Sequence, residues 1–166
     1  FHFLFATYKK KSPVYGLNRD TSIIGRLFEV IHNEGIAHYI DKKPVLVQEY
    51  DTNPKFAESE KQSIENLNEA FLQLTGNNLN ETQKQELLRR ASTGKYWTKY
   101  GSIAGMFMAY HIEKEKGKAA LKKSIQKGPV YFINQYLTLE KTGSILPVLS
   151  FELKRYIDNR KSYGLN

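Results

Sequence analysis

The chain contains no cysteine, so it forms no disulfide and performs no thiol chemistry. It also has no run of about 18 apolar residues, and we therefore expect no transmembrane helix. The first residues do not show the basic-then-apolar order of a signal segment. We find no glycine-rich phosphate loop, no Cys/His zinc-finger spacing and no RNP-like aromatic strand. These absences remove the usual sequence signals for nucleotide and sequence-specific nucleic-acid binding.

The composition is that of a globular protein. Of the 166 residues, 40% are hydrophobic and 13% are aromatic, which is enough for one domain with a core of its own. The net charge of +8 permits an anionic partner, but the basic residues are scattered along the chain. We therefore interpret the charge as a lysine-rich surface and expect no nucleic-acid partner. Salt-sensitive binding of nucleic acid is the weaker alternative.

Apolar residues recur every three or four positions along most of the chain, which indicates helices. The strongest pattern follows a cap at Asp20, Thr21 or Ser22 and is expected to stop at Pro44. Continuous strand signals are few. We therefore predict a mainly α fold of six to eight helices, with residues 1–166 forming a single helical domain.

The second half of that first helix concentrates carboxylates and histidines. On a helix, Glu34 shares a face with apolar residues such as Leu27 and Ile31. A carboxylate on an apolar face is costly unless it is paired or binds a metal. His38, four positions later, is a candidate to support such a site or an exposed histidine near the helix end. Among the neighbours, we interpret His32 as structural, Glu29 as solvated and off the Glu34 face, and Asp41 as a helix-end residue.

The segment Asn33-Glu34-Gly35-Ile36-Ala37-His38-Tyr39 resembles the Asn-Glu-Gly-aromatic-Ala-x-Tyr segment of gluzincin-type zinc metallopeptidases. A closer resemblance is to a group of zinc peptidases known mainly from bacterial genomes, which has a Glu-Gly-x-Ala signature and a helical C-terminal half. In gluzincins this Glu is the third zinc ligand. The resemblance therefore implies that Glu34 binds zinc and that the chain is the C-terminal portion of a gluzincin-like domain. It slightly favours an exported or cell-envelope protein over a cytoplasmic one.

The other two gluzincin ligands are histidines of a His-Glu-x-x-His helix, in which the Glu is the general base. His2, followed by an apolar stretch, resembles the last histidine of that motif. The chain starts with Phe1 and not with Met, so we expect it to be a fragment that lacks the first histidine and the general base. The alternative is that His2 is a terminal histidine without a role.

A second helical segment, from Tyr96 to about residue 115, combines aromatic residues with small ones. Its Gly101 and Gly105 predict close packing against another helix. Metallopeptidases of this kind use a Tyr or His from a later helix to stabilise the oxyanion, which requires a donor aimed at the developing charge. The resemblance implies Tyr100 in this catalytic role, with Tyr96 and His111 as alternatives. All three are also compatible with core aromatics whose polar tips are satisfied.

The sequence thus predicts a zinc-dependent peptidase that hydrolyses peptide bonds with zinc-activated water, with zinc ligands His2 and Glu34 and a peptide or protein substrate. The rival is a non-enzymatic helical binding domain in which a basic side chain pairs with a buried Glu34. The sequence does not distinguish exo- from endopeptidase activity and does not give the oligomeric state.

Overall fold

The structure is a computed structural model that describes residues 20–141 and 145–162, together with Thr7. These described segments form six α-helices and one short 3-10 helix, and they contain no strand. The helices are α1 (Ile23–Glu49), α2 (Pro54–Thr75), α3 (Glu81–Arg90), the 3-10 helix (Tyr96–Thr98), α4 (Tyr100–Lys127), α5 (Pro129–Lys141) and α6 (Phe151–Ser162). The predicted mainly α fold is confirmed. No described helix has the length and hydropathy needed to cross a bilayer.

Helix α4 is the centre of the bundle. Every residue from Tyr100 to Ile112 is buried, as expected for a helix that neighbours enclose on all sides. Helices α1, α2 and α5 pack around it, and the contact with α1 is the most extensive. Beyond this buried half, Gly117 adopts φ 80° and ψ 167°, which kinks α4 before it continues to Lys127. Only glycine takes up that conformation readily.

Helices α1 and α4 touch backbone to backbone at two glycines. A Cβ placed on Gly35 would lie 2.4 Å from the carbonyl carbon of Gly105. A Cβ on Gly105 would lie only 1.9 Å from the backbone oxygen of Ile31. Neither position has room for a side chain, so the predicted close approach of a second helix is confirmed. The contact fixes the segment of α1 that carries Glu34.

Helix α1 begins as predicted but ends later. Ser22 is its N-cap, with the hydroxyl accepting from the backbone N–H of Gly25 at 3.1 Å. The predicted stop at Pro44 is wrong, because α1 continues through this proline to Glu49. Pro44 is exposed, whereas Leu46 is fully buried in the core. The extra turn persists because burial of Leu46 offsets the backbone hydrogen bond that proline cannot donate.

Candidate active site

Glu34 lies on the wall of an open cleft of about 810 Å³ between α1 and α3. The side chain is half-buried, at the border between the core and the cleft. The walls of the cleft include Arg26, Glu29 and Glu34 from α1, and Gln85, Leu88 and Arg89 from α3. Helix α3 is held at its start by a capping box in which Asn80 and Gln83 exchange hydrogen bonds of 2.9 Å. The cap fixes where α3 faces the cleft.

Glu29 lines the same cleft as Glu34. The sequence interpretation placed it off the Glu34 face and in solvent, yet its side chain is half-buried. The difference arises because the cleft spans more of the helix circumference than one row of side chains. A second carboxylate therefore belongs to the candidate site.

His38 is held beside Glu34 on the side of α1 that faces the 3-10 helix. Its ring stacks on Tyr96 with centroids 5.2 Å apart and an interplanar angle of 29°. Partial burial and the nearby positive charge of Lys99 lower the pKa of His38, while a hydrogen bond to the Glu34 backbone and the Glu34 charge oppose that shift. Burial, with the charge of Asp41, raises the pKa of Tyr96 to about 12. His38 is thus neutral near pH 7 and packed on an aromatic surface.

Tyr100, the predicted oxyanion donor, is buried at the start of α4. Its hydroxyl donates to the backbone carbonyl of Leu87 at 2.9 Å, and this hydrogen bond links α4 to α3. Burial raises the pKa of this phenol. The catalytic role of Tyr100 stays a prediction. Of its two alternatives, Tyr96 stacks on His38 and His111 lies in the core.

His32 and Asp41 occupy contrasting positions on α1. His32 is fully buried, with its ring 5.1 Å from that of Phe132, in keeping with a structural residue. Asp41 is exposed and lies 3.2 Å from the ammonium of Lys42. It does not end the helix, because α1 continues past it for two further turns.

A second ionisable cluster lies in the core and brings His111 together with Glu60, a residue that the sequence analysis did not single out. Glu60 of α2 and His111 of α4 are 1% and 5% exposed. The Oε1 of Glu60 lies 3.0 Å from the Nε2 of His111, and its Oε2 accepts a hydrogen bond from the Tyr50 hydroxyl. The signal was present in the sequence, because Glu60 falls on the apolar face of α2 between Phe56 and Ile64. Burial and the Glu60 charge raise the pKa of Tyr50, which keeps its hydroxyl a donor.

A protein-family model matches residues 1–142, and that family is described as "Putative zinc dependent peptidase (DUF5700)". The chain belongs to this family. The match covers most of the chain and includes the whole Glu34 cleft, and it confirms the resemblance to zinc peptidases. No curated protein and no solved structure matches the chain.

The family description names zinc, so the described side chains can be considered as its ligands. Glu34 suits one ligand position, because its carboxylate is half-buried on the wall of a cleft large enough for a peptide. Within residues 20–141 and 145–162, no three His, Cys, Asp or Glu side chains are grouped to hold a metal. His2 lies outside the described residues. A complete zinc site thus needs ligands from beyond those segments.

Proposed function

We propose that this family member is a zinc-dependent peptidase whose catalytic cleft is the groove between α1 and α3. The observation that supports the proposal best is the position of Glu34, the residue of the gluzincin-like motif, on the wall of that cleft in a chain of this family. Glu34 is proposed as one zinc ligand and His2 as a second. The remaining histidine and the general base are proposed to precede Phe1, as the resemblance implies.

The residues of the chain have distinct tasks in this proposal. The Gly35–Gly105 contact fixes the backbone beside Glu34, so the carboxylate is presented from a rigid helix. The open cleft between α1 and α3 has room for a peptide, and Leu88 and Val30 make part of its wall apolar. Zinc, when bound, would polarise the scissile carbonyl and lower the pKa of a water to about 7. The substrate is a peptide or protein chain.

The test is the zinc content of the full-length protein, measured by mass spectrometry beside two variants. We expect about one zinc per chain, because the three proposed protein ligands form a single catalytic zinc site. Glu34→Ala removes a ligand, and we expect it to lose most of the metal. Asp41→Ala is the matched control, because Asp41 is an exposed acid on the same helix and does not line the cleft.

Zinc in the parent and in Asp41→Ala, but not in Glu34→Ala, would support the proposal and justify a screen of peptide substrates. Full zinc content in Glu34→Ala would remove Glu34 from the site. A parent protein without zinc would refute the peptidase and favour the rival helical binding domain.

A further inference from the structure

Arg26 is an exposed arginine on the wall of the cleft, and it has no carboxylate partner among the described residues. Its Nη2 donates to Oε1 of Gln85 at 2.9 Å, which is a neutral contact across the cleft. Gln85 is itself held in place, because its amide donates to Glu81 one turn earlier on α3. Arg26 is therefore oriented by one hydrogen bond, and no other described residue accepts from its remaining N–H donors.

Two other charged residues on the cleft walls, Asp20 and Arg89, are paired. Asp20 lies 2.8 Å from a guanidinium nitrogen of Arg160. Arg89 uses Nε and Nη2 on the two carboxylate oxygens of Glu86, each at 2.7 Å, and its Nη1 donates to Thr93. The two arginines on the cleft walls thus differ in their partners, since Arg89 binds a carboxylate and Arg26 binds a neutral amide.

We propose that Arg26 is the specificity-determining residue of the cleft and binds a carboxylate of the peptide substrate. The inference rests on the proposed function of the same cleft. A guanidinium presents paired N–H donors in a planar fork that matches a carboxylate, and such charge-assisted pairs are stronger than neutral hydrogen bonds. The carboxylate has two possible sources in a peptide, the free C-terminus or an Asp or Glu side chain.

The spacing along α1 sets where this carboxylate lies in the substrate. Arg26 and Glu34 are eight positions apart, which corresponds to about 12 Å along a helix axis. An extended peptide advances roughly 3.3 Å per residue, so the recognised carboxylate lies about three or four residues from the scissile bond. Glu29 lines the cleft between the two and disfavours an anion closer to Glu34.

The experiment measures the hydrolysis of four sets of peptides by the full-length, zinc-loaded protein. A parent peptide with a free C-terminus and a Glu three or four residues from the cleaved bond is matched by its C-terminal amide, by its Glu-to-Gln form and by a peptide with both changes. Arg26→Gln is the test variant. Arg90→Gln is the control, because Arg90 is an exposed arginine of α3 that does not line the cleft. Glu29→Gln removes the opposing charge.

We expect kcat/KM to be about tenfold higher for the peptides that carry the recognised carboxylate, mainly through KM, since a charge-assisted hydrogen bond is worth roughly 1.5 kcal/mol. Arg26→Gln should abolish that preference, Arg90→Gln should retain it and Glu29→Gln should increase it. Loss of preference on amidation assigns the C-terminus, and loss on the Glu-to-Gln change assigns an acidic side chain. Hydrolysis of all four sets at equal rates would overturn the inference and leave the proposed function intact.

If no peptide is hydrolysed, binding of the same fluorescent peptides is measured by anisotropy. A preference for carboxylate peptides that depends on Arg26 would then support the binding site while the peptidase proposal fails. Binding without that preference, or no binding, would overturn both.

Discussion

Removal of the buried carboxylate of Glu60 is expected to be among the most destabilising single substitutions in the described part of the chain. Glu60→Leu leaves the His111 imidazole and the Tyr50 hydroxyl in the core without their acidic partner. A buried polar group that loses its partner typically costs about 1–3 kcal/mol, and because two groups are affected here we expect a loss of about 3 kcal/mol. This loss is a large part of the roughly 5–15 kcal/mol by which a small domain is stable. For a chain of this length, a loss of that size should lower the melting temperature by about 10 °C.

A double-mutant cycle measures the coupling between Glu60 and His111. The free energy of unfolding of each variant is determined by urea denaturation, monitored by far-ultraviolet circular dichroism. We expect Glu60→Leu and His111→Leu each to be strongly destabilising. The double variant should be less destabilised than their sum by roughly 1–3 kcal/mol, because neither polar partner then remains in the core without the other. The control is Glu65→Gln on the same helix, whose ion pair with Lys61 is exposed and should be worth under about 1 kcal/mol. Additive single effects, or a Glu60→Leu protein as stable as the parent, would refute the reasoning.

Two further predictions concern α1 and its contact with α4. Gly105→Ala should destabilise the fold by about 2–3 kcal/mol despite the better helix propensity of alanine, because its Cβ would lie 1.9 Å from the Ile31 carbonyl oxygen. Gly76→Ala should destabilise the fold less, because its Cβ would meet the Leu72 carbonyl oxygen at 3.3 Å, and a shift of a few tenths of an ångström relieves that contact. The lowered pKa of His38 means that the folded state favours its neutral form, so its contribution to stability is present above the unfolded pKa near 6.5 and is lost as the pH falls through the folded value. The free energy of unfolding, measured from pH 7.5 to 5, should therefore fall less steeply in His38→Asn than in the parent, and identical slopes would contradict the assignment.

The sequence predicted the parts of the fold that depend on near neighbours in the chain. Apolar spacing identified the helices, and polar residues before the first apolar position limited the cap to Asp20, Thr21 or Ser22, of which the structure has Ser22. The small residues Gly101 and Gly105 indicated a close helix crossing, which the structure confirms where Gly105 meets Gly35 of α1. The motif at Glu34 led to the zinc-peptidase family, because a short run of residues carries that information by itself.

The length of α1 and the grouping of ionisable residues depended on tertiary structure. Pro44 disfavours a helix locally, yet the buried Leu46 keeps α1 intact, and only the packed core supplies that energy. Glu60 and His111 are distant in the sequence, and their pairing needs α2 and α4 side by side. The orientation of Arg26 likewise depends on Gln85 of another helix. The sequence alone thus determined the helices and the family, whereas contacts between helices, which local spacing does not encode, decided which charges share the core and the cleft.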